Sequence, residues 1–181
     1  MKKLIFIIGL MMIVVGLQAQ DSTNPSLLRS SKAVKALNTV PYLHMSVEDS
    51  TEVIAITQDI WYQVTNQDST LWTTQASTRI TEAGDTITIS VAGDYMATLT
   101  VNYLATAADS VHIRLAKNHV ALVPEVSEVS IGTEDHALTF TTLLPNLVVG
   151  DDIKPQIMNS NGNDDCTILG GSLVLWLIRY D

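Results

Sequence analysis

The sequence is poor in cysteine, glycine, proline and basic residues, and each shortage excludes a class of protein. A single cysteine, Cys166, in 181 residues excludes an intramolecular disulfide, so a hydrophobic core must hold the fold. With 9 glycines, 5 prolines and 46% hydrophobic residues, the chain is neither collagen-like nor disordered. Ten basic residues against 19 acidic ones give a net charge of −9. This balance excludes a nucleic-acid partner, because phosphate binding needs clustered Lys and Arg.

Long hydrophobic runs are missing as well, except at the start of the chain. Lys2 and Lys3 precede an uncharged apolar run, 4–17, and the small residue Ala19 follows, which is the pattern of a cleaved secretory signal peptide. An uncleaved membrane anchor is the alternative, but the run is shorter than the roughly 20 residues that a spanning helix needs. We therefore expect residues 1–19 to be removed and the protein to be secreted or extracytoplasmic, in the periplasm or at the cell surface, without a membrane span.

Charge divides the rest of the chain into a basic segment, 20–40, and an acidic body, 41–181. The segment contains Asn24 and Pro25, which can cap and start a helix. It is predicted to be either a linker or a short helical stub that becomes stable by packing with copies of itself. The body holds 5 basic and 18 acidic residues, a net charge of −13. Such a surface favours cationic or neutral partners, such as an extracellular protein or a carbohydrate.

Alternation of apolar and polar residues predicts that the body is built from strands. Apolar residues occupy every second position of 87–91, 95–103 and 111–115, with turn residues between these runs. Further strands are predicted at 43–47, 52–57, 60–65, 71–74, 120–123, 126–131, 137–143, 153–158 and 172–179. Many short strands without a helical period predict an all-β antiparallel sandwich or barrel.

The segment 173–178 breaks this alternation because it is apolar at every position. Both faces of the corresponding strand therefore require burial. In a sandwich of two sheets, only one face of each sheet meets the core, and a second subunit is the simplest cover for the other face. A flap from the N-terminal segment is the alternative in a monomer. The predicted subunit-interface residues are Leu173, Leu175, Trp176 and Leu177.

Three landmarks resemble the jelly rolls of complement globular-head and tumour-necrosis-factor-like proteins. The first is Ile87-x5-Gly93-x-Tyr95-x-Ala97-x-Leu99, which is similar to that family's motif of an aromatic residue, five residues and Gly-x-Tyr-x-aromatic. The others are the turn Gly150-Asp151 before the penultimate strands and Gly170-Gly171 ahead of the final strand. Because non-aromatic residues stand where the complement branch prefers aromatic ones, the chain looks like a divergent bacterial or bacteriophage member.

The resemblance implies a jelly-roll sandwich of about ten strands over residues 41–181 and a homotrimer around a threefold axis through the sheet that carries the final strand. The basic segment then stands where such proteins carry a stalk or trimerising segment. Gly93 is expected at a tight turn with positive φ, and Tyr95 in the core with its hydroxyl hydrogen-bonded. The residues expected to define turns and core are Gly93, Tyr95, Leu99, Gly150, Asp151 and Gly171.

Residues that carry chemistry are few, and they form no known catalytic motif. The sequence has no Gly-x-Ser-x-Gly elbow, no P-loop and no dinucleotide-binding glycine pattern. Cys166 lacks a local activating context and is interpreted as a small buried residue. Four pairs of adjacent carboxylates fall at predicted turns, where solvated acids are the rule, and neighbours on a strand point to opposite faces. We therefore predict no catalytic residues and a protein that is not an enzyme.

Metal ligands are equally sparse. His44, His112, His119 and His136 do not have the spacing of zinc ligands, and no cysteine pair accompanies them. Asn159-x-Asn161-x-Asn163-x-Asp165 presents an oxygen at every second position, which calcium could use, although the loop departs from the EF-hand pattern. A polar hairpin loop is the other interpretation. We expect no metal and no cofactor, with calcium at this loop as the alternative.

These observations predict a secreted, non-enzymatic, trimeric binding or assembly module that recognises a surface protein or a glycan by avidity. The contacts are expected on end loops at 66–70, 106–110, 132–136 and 159–165. Trp61, Tyr62 and Trp72 are either packing residues or a surface on which a ligand stacks. A structural component of a surface or phage-derived fibre is the first alternative, and a small secreted glycan-active enzyme is the second.

Overall fold

Strands form the regular structure of the described chain. The computed structural model describes residues 40–65, 71–105, 109–129 and 134–180, and within these ranges it has twelve strands and no helix. The strands are β1 (Tyr42–Val47), β2 (Glu52–Ile54), β3 (Tyr62–Gln63), β4 (Thr73–Thr78), β5 (Ile80–Ala83), β6 (Thr86–Ile89), β7 (Gly93–Ala105), β8 (Ser110–Lys117), β9 (Val120–Val129), β10 (Asp135–Leu147), β11 (Asp152–Asn159) and β12 (Cys166–Tyr180). The predicted signal peptide, 1–19, and nearly all of the predicted linker, 20–40, lie outside the described residues.

The strands form two antiparallel sheets. Sheet A has the order β10-β7-β12-β1-β4, with β2 also paired to β12, and sheet B has the order β5-β6-β11-β8-β9, with β3 also paired to β11. From β6 to β12, every connection except β8–β9 crosses from one sheet to the other. This connectivity is that of a jelly roll, so the predicted all-β antiparallel sandwich is confirmed.

The core lies between the two sheets and is filled by the side chains that alternate inward. Leu99 and Leu175 of sheet A and Ile113 and Ile157 of sheet B all have 0% exposure. Burying a side chain of this size stabilises the fold by about 1.5–3 kcal/mol. The core therefore replaces the disulfides that the sequence lacks.

Several parts of the strand prediction differ from the structure. No strand is predicted where β5 (Ile80–Ala83) lies, and the strand predicted at 71–74 is found at Thr73–Thr78. The segments 120–123 and 126–131 are predicted as separate strands, but the structure has one continuous strand from Val120 to Val129; residues 130–131 lie outside the described residues. The last strand begins at Cys166 rather than at residue 172, because the register shifts between Ile168 and Gly170 and pairing with β7 continues past the two glycines. A glycine pair that resembles a turn is here an irregularity inside a long strand.

Tyr95 and Leu99 lie in the core, with 0% exposure. The Tyr95 hydroxyl donates a hydrogen bond to the carbonyl oxygen of Val91 over 2.8 Å. Burial, together with the neighbouring Tyr180, raises the pKa of Tyr95 to about 12. The phenol therefore stays protonated and keeps this bond at neutral pH.

Two glycines allow backbones to approach closely at β12. Gly93, with φ of 152°, is the first residue of β7, and a Cβ there would lie 2.1 Å from the carbonyl oxygen of Arg179 and 2.6 Å from a Leu177 methyl. A Cβ on Gly171 would lie 2.6 Å from the carbonyl oxygen of Thr100. Glycine is required at both positions by contact with a neighbouring strand.

Asp151 organises the turn between β10 and β11. It follows Gly150, whose φ is 93°, and it is 4% exposed. Its carboxylate accepts hydrogen bonds from the Val148 amide at 2.8 Å and the Asn118 side chain at 2.7 Å, and the Lys117 ammonium lies 2.8 Å away. Burial acts to raise the pKa of Asp151, but these bonds and the positive charge outweigh burial and lower it.

We predict that Gly93→Ala lowers the free energy of unfolding by about 2–4 kcal/mol, because the new methyl group overlaps the β12 backbone and alanine disfavours this φ. Urea unfolding followed by circular dichroism measures the loss. Gly84→Ala is the matched control, since Gly84 also has positive φ, +57°, but no atom lies within 4 Å of its added Cβ. Equal losses in the two variants would contradict the close-approach argument.

We predict that Asp151→Asn lowers the free energy of unfolding by about 2 kcal/mol at pH 7, because a charged hydrogen-bond acceptor is lost. The folded-state pKa of Asp151 lies below its unfolded value of roughly 3.9, so its contribution is complete above that pH and is lost as pH falls through the folded pKa. In urea unfolding the gap between wild type and variant should therefore stay constant from about pH 7 to about pH 5 and narrow as the pH falls further. The exposed control Asp49→Asn should differ little from wild type at any pH, and a pH-independent gap for Asp151→Asn would refute the linkage.

Candidate functional site

The outer face of sheet A carries an apolar row across four strands. Trp176 of β12 lies opposite Tyr42 of β1 on one side and Met96 of β7 on the other, and Met96 lies opposite Leu143 of β10. Leu143 is 46% exposed, and Ile178, two residues from Trp176 on β12, is 49% exposed. Side chains opposite each other in a sheet share a face, so these residues form one surface, here called the apolar row.

The predicted subunit-interface residues divide between two faces. Leu173, Leu175 and Leu177 point inward and are at most 5% exposed, because the core of their own subunit covers them. The expectation that they contact another subunit is therefore wrong for these three leucines. Trp176 alternates with them and lies half-buried on the outer face. A fully apolar strand cannot show from its own residues which face belongs to the core.

Three of the four predicted ligand loops adjoin strand ends at one end of the sandwich. Pairing of Asp135 with Leu104, of Cys166 with Ala105 and of Asn159 with Val111 brings these strand ends together. The loops are those at 106–110, 132–136 and 159–165. Residues 106–108 and 132–133 lie outside the described residues.

The fourth loop, 66–70, also lies outside the described residues, but its flanks adjoin a different part of the molecule. The carboxylate of Asp85, which is 0% exposed, accepts hydrogen bonds from the Thr65 hydroxyl and from the amides of Leu71 and Trp72. Asp85 lies at the β5–β6 turn of sheet B. The two flanks are thus fixed at this hairpin rather than at the strand ends that adjoin the other three loops.

The polar loop 159–165 uses its side-chain oxygens to hold backbone amides. The Asn159 oxygen accepts a bond from the Asn161 amide, the Asn163 oxygen accepts one from Gln58, and Asp165 accepts one from Ile56. Alternating oxygens therefore join this loop to the segment between β2 and β3. In the described part of the chain, no group of three or more His, Cys, Asp or Glu side chains is arranged to hold a metal ion.

Cys166 is enclosed in the core near this end, with 0% exposure. Burial, reinforced by Asp109, Asp165 and Asp164, raises the pKa of the Cys166 thiol to about 12. A nucleophilic cysteine requires the opposite, namely an accessible thiolate with a lowered pKa. The side chain therefore contributes to packing.

The three aromatic residues near β3 occupy different environments. Trp72 is 1% exposed and its indole nitrogen donates to the Val64 carbonyl, while Tyr62 packs partly against the core. Trp61 instead contacts Arg114, whose guanidinium carbon lies 3.8 Å from the centre of an indole ring. The three residues do not form a common stacking surface, because Trp72 is buried and the adjacent side chains of Trp61 and Tyr62 point to opposite faces of an extended chain.

Around Trp61 lies a polar cluster on the outer face of sheet B. The Arg114 Nε donates to the Gln156 side-chain oxygen over 2.8 Å. The His112 ring is edge-on to Trp61, with ring centroids 6.4 Å apart, and its Nε2 lies 2.9 Å from the Ser160 hydroxyl. Sequence reasoning missed this cluster because its members come from β8, β11 and two loops that are far apart along the chain.

Within the described ranges, the structure contains no helix with the length and apolar character needed to cross a membrane.

Comparison with solved structures identifies the class of fold. Eiger TNF from S. frugiperda has a TM-score of 0.58 at 12% identity, covering 79% of this chain and 95% of that one. The globular domain of zebrafish complement 1qA protein has a TM-score of 0.56 at 12% identity, covering 78% of this chain and 99% of that one. PRD1 vertex protein P5 has a TM-score of 0.52 at 16% identity, covering 77% of this chain and 97% of that one.

The chain therefore has the jelly-roll fold of the TNF-like and complement globular domains, as the three sequence landmarks predicted. No protein-family model matches the sequence, and no curated protein matches it. At such low identities the likeness concerns the fold alone, and function has to be argued from the surfaces of this chain.

We predict that Cys166 does not react with a thiol reagent in the folded protein at pH 8, because burial keeps it protonated and inaccessible. Absorbance during incubation with a chromogenic disulfide measures the reaction. The same protein in 8 M urea should react with one equivalent, which is the internal control. Rapid stoichiometric labelling of the native protein would contradict the assignment of Cys166 to the core.

Proposed function

We propose that this protein is a secreted, non-enzymatic module that assembles as a homotrimer and binds a surface protein or a glycan through its end loops. The apolar row on the outer face of sheet A carries the proposal. Trp176, Met96, Leu143 and Ile178 form a contiguous apolar surface in a body that otherwise has a net charge of −13. Contiguous apolar surface of this kind indicates a protein partner.

A second copy of the chain is the partner that fits the row. The body carries 18 acidic residues, but the residues of the row have no charge, so two copies can approach there with little electrostatic repulsion. The fold is similar to that of the complement and TNF-like domains. The resemblance of the sequence to that family implies three copies around a threefold axis.

Avidity is the proposed mechanism of binding. A trimer presents three copies of the end loops, so that three weak sites act together on a surface with many ligands. The hydrogen bonds between loop 159–165 and the segment before β3 pre-organise part of this end, which lowers the entropy lost on binding. Secretion rests on the signal-peptide pattern of residues 1–19.

A structural role in a surface or phage-derived assembly is the second candidate. The likeness to PRD1 vertex protein P5, at a TM-score of 0.52, favours it. Such a protein would use the same trimer, and its end loops would contact other components of the assembly. Binding of the purified protein to arrays of glycans and cell-surface proteins distinguishes the two, because an assembly component should bind none of them.

We predict that the secreted, purified protein has the molar mass of three subunits in light scattering over a range of concentrations. Trp176→Glu should give a folded monomer, because it puts a charge into the proposed contact. Val120→Glu is the matched control, since Val120 is an apolar residue on β9 of sheet B, 67% exposed and distant from the row. A wild-type monomer, or a trimer that tolerates Trp176→Glu, would overturn the proposed assembly.

A further inference from the structure

Only five basic residues occur in the acidic body, and three of them, Arg114, Lys117 and Lys154, lie on the paired strands β8 and β11. Lys117 is 2.8 Å from Asp151, and Arg179 of β12 is likewise 2.8 Å from Asp94. Among the described residues, no carboxylate lies within 4.0 Å of the charged groups of Arg114 or Lys154. Two neighbouring cations thus lack a paired anion in a body rich in carboxylates.

Arg114 is the more informative of the two because it is half-buried. Burial lowers its pKa, and the more distant Glu125 only partly offsets this effect. A partly desolvated cation without a contacting anion is unfavourable, and an incoming anion would relieve that cost.

The guanidinium is also pre-oriented. Its Nε donates to Gln156, and its central carbon atom lies over the Trp61 ring, 3.8 Å from the ring centre. The two terminal nitrogens have no hydrogen-bond partner among the described residues, and they are not buried. A planar pair of N–H donors fixed in this way matches the two oxygens of a carboxylate.

The groups around the guanidinium suit a polyhydroxylated ligand. The His112 ring lies between the Ser160 hydroxyl, 2.9 Å away, and the Glu125 carboxylate, 3.5 Å away. Together with Gln156 they offer several donors and acceptors on one face, next to the indole of Trp61. Sugar hydroxyls are donors and acceptors at once, so this mixture satisfies them in either role.

We propose that the outer face of β8 and β11, centred on Arg114 with Trp61, His112, Lys154, Gln156 and Ser160, binds a carboxylate-bearing saccharide. This surface, here called the Arg114 face, is separate from the apolar row, which lies on the other sheet. Its ligand would lie on the outer side of sheet B and reach only the Ser160 part of loop 159–165. Arg114 contacts the carboxylate, Lys154 adds positive charge beside it, and the other polar groups contact the ring hydroxyls.

An acidic peptide fits this face less well. Peptides that bind sheets commonly add a strand to an exposed edge, and their backbone hydrogen bonds supply the affinity. Here β8 is paired with β11 and β9, and β11 is paired with β8, β6 and β3, so neither strand has a free edge along its length. The face offers side chains only, which favours a ligand recognised through its hydroxyls and its carboxylate.

Isothermal titration of the purified secreted protein with tri-galacturonic acid tests this inference. We expect saturable binding that weakens as salt is raised, because the contact is partly ionic. A neutral galactose trisaccharide and a glutamate tripeptide should each bind at least about tenfold more weakly. Absence of binding by tri-galacturonic acid at millimolar concentration, or equal binding of the tripeptide, overturns the proposal.

Substitutions of Arg114 test whether the saccharide binds at the Arg114 face. Arg114→Gln should weaken tri-galacturonic acid binding by about tenfold or more, as expected for loss of a charged hydrogen-bond pair. Arg114→Lys should recover only part of the affinity, because a lysine lacks the planar fork. Arg79→Gln, at an exposed cation between β4 and β5, is the matched control and should bind like wild type. Unchanged binding by Arg114→Gln would move the site elsewhere and refute the assignment.

Two further variants separate saccharide binding from misfolding of Arg114→Gln and from assembly of the trimer. Lys154→Gln, at the rim, should also weaken binding, and it provides an answer if Arg114→Gln does not fold. The Trp176→Glu variant should retain binding per subunit, because every residue of the Arg114 face comes from one chain. A monomeric wild-type protein would therefore not contradict the proposed saccharide site. Absence of saccharide binding would likewise not contradict the proposed trimer.

Discussion

The structure depends on the burial of β12 at the centre of sheet A. This strand pairs with β7 along almost its whole length and with β1 and β2 on its other side. Its inward leucines join the core between the sheets, and its outward residues Trp176 and Ile178 belong to the apolar row. One strand thus links the folding of the subunit to the proposed assembly of subunits. Gly93 and Gly171 allow β7 and β12 to pack closely, since a Cβ at either position would collide with the backbone of the other strand.

Two of the few basic side chains of the body contact specific carboxylates. The acidic body has few cations, and two of them are paired with buried carboxylates that hold strand ends. Lys117 contacts Asp151 at the β10–β11 turn, and Arg179 contacts Asp94, whose other oxygen accepts the Asn146 amide. In both cases the carboxylate also caps backbone, so removing the cation would leave a buried charge only partly compensated. Against this background Arg114 differs, because its contacts are an indole and an amide oxygen.

In the described part of the end loops, the polar side chains of 159–165 fix backbone. Alternating oxygens in 159–165 resemble a calcium loop in sequence, yet in the fold Asn163 and Asp165 accept amides of the segment before β3. Asp85 does the same for the residues on either side of 66–70. Side chains that hold backbone in place make a loop rigid, and rigid loops lose less entropy when they bind. The end of the sandwich is in this respect already arranged for contact.

The sequence alone determined most of the strands, the all-β class and the jelly-roll landmarks, because alternation and turn chemistry are carried by residues that are close along the chain. It did not predict β5, the continuity of β9 or the start of β12. It also indicated that Tyr95 and Leu99 are core residues. It did not determine which face of β12 meets the core, since an all-apolar segment has no period to read. Nor did it bring Trp61, Arg114 and Gln156 together: their juxtaposition depends on the pairing of β8 with β11 and on the path of the chain before β3. Such register is set by contacts across the whole sheet, and only the tertiary structure decides it.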